Sequence, residues 1–272
     1  MKLFKVRNIL GIACATYLIL LVLSTIFAGQ ISSFDPKAMA PLQRLQAPSM
    51  DHWFGTDSFG RDVFTRTLYG GQVSLIVGVA VTVLALMVGT LIGLVSGYFR
   101  LLDKILMRIM DGIMSMPGIV LAVALMALFR ADITTVVIAI TIPEIPRVAR
   151  LVRSVVLTIR EQEFVQAAIV TGCTVPQILL RHILPNAAGP LAVQATFVCA
   201  SAILLEAYLS FLGVGLPQET PTWGNIMSGG RLSVQVAFWA IMYPGIVLAL
   251  TILSVNVLGD SIRDLFDPKG KK

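Results

Sequence analysis

Long uncharged apolar runs alternate with short polar breaks along the chain, and their lengths set the first expectation. Ile9 to Ala28 holds no charged residue over twenty positions, the length an α-helix needs to cross about 30 Å of hydrocarbon. Comparable runs cover about Val73–Phe99, Ile113–Phe129, Ile133–Val148, Ala187–Leu212 and Val236–Leu258. Only Arg130, Ala131 and Asp132 separate the third from the fourth. The pattern predicts an all-α integral membrane protein with six transmembrane helices, which puts both termini on one side.

Composition agrees with that solvent. The 272 residues are 56% apolar and only 13% charged, with a mean hydropathy of +0.85, too little charge for the surface of a soluble domain. The formal charge of +6 raises the question of nucleic acid, but its distribution reads as topology. With the N-terminus inside, the inner segments hold Lys2, Lys5, Arg7, Arg100, Lys104, Arg108, Arg147, Arg150, Arg153, Arg160, Arg181, Arg263, Lys269, Lys271 and Lys272. The outer ones hold Lys37, Arg44, Arg61, Arg66, Arg130 and Arg231. Fifteen against six favours cytoplasmic termini. A cleaved signal peptide is the alternative for the first run, but that run exceeds the usual length and Ala28-Gly29-Gln30 is a poor cleavage site. Cys14, Cys173 and Cys199 form no CxxC pair and are expected as small buried side chains.

Inside the apolar runs, Gly89, Gly93 and Gly97 recur every fourth residue, a stripe that lets a neighbouring backbone approach closely. Pro143 and Pro146 are expected to kink or unwind the fourth span. Glu144 between them is either a functional intramembrane acid or one paired with Arg147 at i+3. Glu206, before Gly213, either caps a loop or lines the route of a polar substrate; both acids are candidates for a substrate pathway.

Catalytic chemistry finds few groups. His52 and His182 fall on opposite sides in this topology, and GxSxG, HExxH and GxxxxGK[ST] are all missing from the sequence, so no catalytic residue, metal ligand or resident cofactor is expected. The most polar stretch, His52 to Asp62 (HWFGTDSFGRD), falls in the outer loop. Acids and bases nearly cancel there, so it reads as a folded plug that braces the bundle, with Asp57 and Ser58 capping a helix that begins near Gly60. An ion-coupled secondary transporter is the competing class, although no repeat relates the two halves.

The segment Glu161–Asn186, EQEFVQAAIVTGCTVPQILLRHILPN, is amphipathic and lacks a span-length apolar run. Two short helices fit it, the first ending at Gly172 as the C′ residue and the second starting near Pro176 behind Thr174 as N-cap.

Gln166-Ala167-Ala168, three residues, Gly172, then a run ending Leu184-Pro185, resembles the EAA loop of ABC importer permeases. The chain departs from that pattern at Gln166, where the family usually has Glu, and at His182, where it has Ile. HWFGTDSFGRDVFTRTLYGGQVSL, Leu204–Met227 (LLEAYLSFLGVGLPQETPTWGNIM) and Asn256–Pro268 (NVLGDSIRDLFDP) are similar to signatures of the second permease of the dipeptide, oligopeptide and nickel branch. The resemblance implies a type I importer permease fold in the bacterial cytoplasmic (inner) membrane. Residues 1–72 would form an N-terminal helix and extracytoplasmic segment, and 73–272 the transport domain. It further implies a second homologous permease, two cytoplasmic ATP-binding subunits carrying ATP and Mg, and an extracytoplasmic solute-binding protein as partners. The coupling loop would use Gln166, Ala167, Ala168, Gly172, Cys173, Thr174, Val175, Pro176, Gln177, Leu180, Leu184 and Pro185. Di- or oligopeptides are the expected solutes, with nickel or a metal chelate as the alternative.

Overall fold

The computed structural model describes residues 2–266, with side chains described for residues 9–264. Asp267 and Pro268 of the last signature, and Lys269, Lys271 and Lys272 of the charge count, lie outside the described residues, as do the side chains of Lys2, Lys5 and Arg7. Every regular element among the described residues is helical; one isolated bridge joins Thr56 to Asp62. The principal helices are α1 (Lys2–Ile26), α2 (Val63–Tyr98), α3 (Arg100–Met114), α4 (Gly118–Leu128), α5 (Ile133–Ile159), α6 (Glu163–Val170), α7 (Val175–Phe211), α8 (Trp223–Gly230) and α9 (Trp239–Phe266).

Four of these helices are long and apolar enough to cross a membrane, and five if α3 and α4 count as one broken span. The third expected span, Ile113–Phe129, is not one straight helix. The chain bends by 86° between α3 and α4, because Pro117 has no N–H to donate and pushes the residue before it out of the helical region. The fourth expected span differs in the opposite sense. Helix α5 runs unbroken through Pro143 and Pro146 and on to Ile159, with both prolines buried, so packing on its neighbours overrides the local cost of the two rings. Its start is well defined: Asp132 Oδ1 accepts from the Thr135 backbone N–H at 2.6 Å, and that bond holds the Asp132 carboxyl below the usual carboxylate range.

The central contact is between α2 and α5. Gly89, Gly93 and Gly97 of α2 face Val148, Val152 and Val156 of α5, each valine fully buried. A Cβ built on the three glycines would lie 2.6, 2.6 and 2.5 Å from the Cβ of its facing valine. The missing side chains are therefore a groove, and a valine ridge of the same four-residue period fills it. Arg160 closes the end of this seam by donating from Nη1 to the Gly97 carbonyl at 3.0 Å. Helix α7 packs on α2 and α9, where Gly78 meets Ile203 and Gly259 meets Thr196. Helix α1 lies outside, tied to α9 by the Tyr17 hydroxyl donating to Val247 O at 3.1 Å.

Gly93→Ala brings a methyl against Val152 and within 2.7 Å of the Ala149 carbonyl oxygen, so it should destabilise the bundle by about 1–3 kcal/mol. Gly112→Ala, with open space around it, should leave it unchanged or slightly firmer. Resistance of the purified chain to SDS denaturation distinguishes them; equal loss in both would contradict the seam.

Candidate functional site

The 161–186 loop is built from α5 outward. Arg160, Glu161 and Gln162 turn the chain, and the Gln166 side-chain Nε2 donates back to the Arg160 carbonyl at 3.0 Å. Helix α6 buries Val165 and Ala168, which seats it on the bundle core beside Val156, Ile178 and Ile183. It stops at Gly172, whose φ of +83° suits glycine. The Gly172 N–H donates to Ile169 O and the Cys173 N–H to Ala168 O, both at 3.0 Å, the paired bonds of a Schellman motif. Thr174 then takes the N-cap position, its N–H donating to Gln177 Oε1 at 2.8 Å, with Pro176 in the first turn.

Ile178–Ile183 follows as a π-helical stretch. Its wider turn brings Ile178 and Ile183, five residues apart, to the same buried side, which an α-helical pitch would spread apart. The loop thus has an anchored inner face and an outer face that none of the described residues covers. Gln166, Ala167, Gly172, Thr174, Pro176, Gln177 and Pro185 are exposed, and Cys173, Val175 and Leu184 half-buried. Four large apolar side chains also point out: Phe164, Ile169, Val170 at 86% exposure and Leu180 at 59%. Phe164, Ile169 and Val170 were not singled out in the sequence; their signal was apolar residues on the polar-facing side of a short amphipathic helix.

The two candidate pathway acids lie elsewhere. Glu144 is buried and accepts from Arg147 Nη1 at 3.2 Å and from the Ser201 hydroxyl at 2.8 Å, so it is paired at i+3 and also joins α5 to α7. Glu206 is fully buried. Ser74 of α2 donates to its Oε2 at 2.8 Å and Ser210 to its Oε1 at 2.7 Å. Its carboxyl joins α7 to α2 through hydroxyls, with no ion pair among the described residues.

At the opposite end of α2, the His52–Asp62 stretch is a folded plug. Asp57 does not cap a helix near Gly60, as its sequence suggested. It closes a turn, with Oδ1 accepting from the Phe59 and Arg61 N–H groups at 2.8 and 3.0 Å and Oδ2 from Arg61 Nε at 2.7 Å. The cap is Asp62, whose Oδ2 accepts from the Thr65 N–H and hydroxyl, both at 2.7 Å, while its Oδ1 pairs with His52 Nδ1 at 2.9 Å. Helix α2 therefore begins at Val63. The difference is geometric: Gly60, with φ +74° and its Cα against the Ala40 carbonyl, is part of the turn.

Arg66, noted before only as a charge, is the hidden member of this plug. It is 1% exposed, donates to Pro36 O at 2.9 Å and to Gln218 O at 3.1 Å, and approaches Asp57 at 4.0 Å. Trp239 Nε1 donates to Thr56 O and Trp223 Nε1 to Thr67 O. Asn225 Nδ2 gathers the carbonyls of Leu216, Pro217 and Thr220. No local pattern marks these donors, since each partner is remote in sequence or is a backbone atom. No group of three or more His, Cys, Asp or Glu among the described residues is arranged to hold a metal ion.

Fold and loop define a class: an all-helical, multi-pass membrane subunit with a short helical turn presented beside its bundle. The family profile described as binding-protein-dependent transport system inner membrane component matches residues 85–272. The chain is 51% identical over 245 residues to the "Probable peptide ABC transporter permease protein y4tQ" of Sinorhizobium fredii, covering 90% of this chain and 84% of that one. It is 42% identical over 266 residues to the dipeptide transport system permease protein DppC of Alkalihalophilus pseudofirmus, covering 97% and 88%. Its fold is similar to that of a chain of the MetNI methionine ABC transporter in an inward-facing crystal form. The TM-score is 0.54 and the identity 20%, covering 71% of this chain and 94% of that one. The chain belongs to the binding-protein-dependent transport inner membrane component family, as a permease subunit of an ABC importer. Ion-coupled transport is displaced by that assignment.

Asp57→Ala would leave Arg61 and Arg66 buried without their shared carboxylate, which should cost about 3–5 kcal/mol. Asp51→Ala removes an exposed acid of the same loop and should change stability by no more than about 0.5 kcal/mol. Thermal unfolding of the two purified variants separates a buried charge cluster from an ornamental one.

Proposed function

We propose that this chain is one of two pore-forming permeases in an ATP-driven, binding-protein-dependent importer of di- or oligopeptides. The observation that carries the coupling part is the set of exposed apolar side chains Phe164, Ile169, Val170 and Leu180, held on a loop whose inner side packs on the bundle core. Such a face, rigid and continuous with a helix of the bundle, suits a helix seated in a cleft of a nucleotide-binding subunit. Motion of that subunit would then pass to α5 without slack. The residues assigned to the docking turn run from Gln166 into the first turns of α7 at Leu180, with Leu184 and Pro185 further along that helix.

In this reading the loop and both termini are cytoplasmic, consistent with the excess of Lys and Arg on that side. The six crossings are α1, α2, the stretch from Pro117 to Phe129 that contains α4, α5, α7 and α9. Residues 1–72 provide the first crossing and the outer plug, and 73–272 the transport domain. The plug faces the extracytoplasmic solute-binding protein. ATP and Mg belong to the two partner ATPases; this chain contributes no catalytic group and holds no cofactor. Glu144 and Glu206 sit beside the solute path as buried ties between helices. Peptide is preferred over nickel as solute because the similar permeases are named for peptides and dipeptides.

Val170→Asp combined with Leu180→Asp should leave membrane insertion unchanged and lower co-purification of the ATPase subunits at least tenfold. Gly172→Val, strained at φ +83° with open space around it, should do the same through the backbone alone. Full co-purification and uptake in both would overturn the docking assignment. Uptake of a labelled dipeptide against nickel, with the cognate binding protein present, decides the solute.

A further inference from the structure

Along helix α3 the outward half is neither wholly apolar nor neutralised. Arg100, Lys104 and Arg108 recur every fourth residue, and Leu101, Ile105 and Ile109 follow one position behind them. Four-residue steps keep each set in a stripe, so a basic stripe and an apolar stripe run side by side along the helix. Both face away from the bundle. Leu101 is 74% exposed, Ile105 55% and Ile109 53%, and the three basic residues are exposed as well.

The inward half explains why the basic stripe stays charged. Asp103 is engaged by Arg153 of α5, through Nε at 2.5 Å and Nη2 at 2.7 Å, and Asp111 by Arg150 at 2.5 Å. The acids of α3 are thus turned to arginines of α5. Arg100, Lys104 and Arg108 make no ion pair or hydrogen bond to a described side chain.

Connectivity then fixes what medium this face meets. Only Phe99 separates α3 from the end of the apolar helix α2, and only Ser115, Met116 and Pro117 separate it from apolar α4, across a bend of 86°. A helix tethered this closely between two membrane-embedded segments, and at right angles to one of them, lies along the bilayer surface. An interfacial helix of this kind sinks its apolar stripe among the acyl chains and holds Lys and Arg at headgroup depth. We propose that α3 is an interfacial helix whose Arg100, Lys104 and Arg108 stripe binds the phosphate of anionic lipids in the cytoplasmic leaflet. The leaflet named here rests on the orientation given under Proposed function.

The binding has a mechanical consequence. Through Asp103 and Asp111 the lipid-facing helix grips α5, the same helix whose far turn carries α6 and the docking loop. Anionic headgroups would hold α3 in place as a support against which α5 moves.

The test uses the full-length chain in lipid nanodiscs and in detergent. Native mass spectrometry, titrating phosphatidylglycerol against phosphatidylcholine, should show preferential retention of phosphatidylglycerol. The R100Q/K104Q/R108Q variant should lose that preference by about fivefold per charge removed, whereas R181Q, an exposed base on the docking loop, should keep it. Equal retention by the triple variant, or displacement of the lipid by inorganic phosphate alone, would overturn the proposal. A nitroxide at I105C should be quenched by a lipid-soluble relaxant both in the lone chain and in the assembled importer. Shielding on assembly would instead assign the face to the second permease and overturn the lipid reading. Modification of K104C by an impermeant thiol reagent only from the inner side supports the leaflet. Modification from outside overturns the orientation, and with it the named leaflet, independently of the lipid preference.

Discussion

Everything in this bundle depends on how closely α2 and α5 approach. Lipid offers helices no hydrophobic drive to associate, so contact area must come from close packing. Gly89, Gly93 and Gly97 provide it by leaving a groove that Val148, Val152 and Val156 fill. Because α2 spans 36 residues, about 54 Å at a rise of 1.5 Å per residue, this one seam connects the plug at one end to the 161–186 loop at the other. It also holds α5 through two internal prolines that would weaken an isolated helix.

Polar side chains complete the frame at both ends of the seam. At the loop end, Arg160 caps the Gly97 carbonyl and Arg153 and Arg150 hold the acids of α3. At the plug end, Asp62 caps α2 while Asp57, Arg61 and Arg66 bind together segments from Pro36 to Gln218. Midway, Glu206 and Glu144 tie α7 to α2 and α5 through serine hydroxyls. Among the described residues these buried carboxyls all accept hydrogen bonds and only the buried Arg66 Nε is left without one, the arrangement expected where an unsatisfied group is costly.

Much of this was legible in the residues. Apolar run length located α1, α2, α7 and α9, the glycine period announced a helix seam, and Gly172, Thr174 and Pro176 marked the turn of the 161–186 loop. What was not legible depended on contacts between remote positions. Pro117 breaks its helix while Pro143 and Pro146 do not, and only the burial of the latter pair explains the contrast. Asp57 and Asp62 are alike in local sequence, but the Ala40 carbonyl lying against Gly60 decides which of them caps α2. Arg66 and Ser74 carry no motif of their own; their partners Gln218 and Glu206 lie over 130 residues away. The uncovered face of α6 was visible as an amphipathic pattern, yet its anchoring by the π-helical turn at Ile178–Ile183 was not.

The measurement that bears most directly on the central claim uses the native thiol of Cys173, a free and half-buried cysteine just after the Gly172 turn. In the assembled importer with Cys14 and Cys199 replaced, a short thiol crosslinker should join Cys173 to an ATPase subunit, and prior ATPase binding should slow its alkylation. If Cys173 is alkylated at the same rate with and without bound ATPases in a complex that still transports, coupling does not pass through this turn.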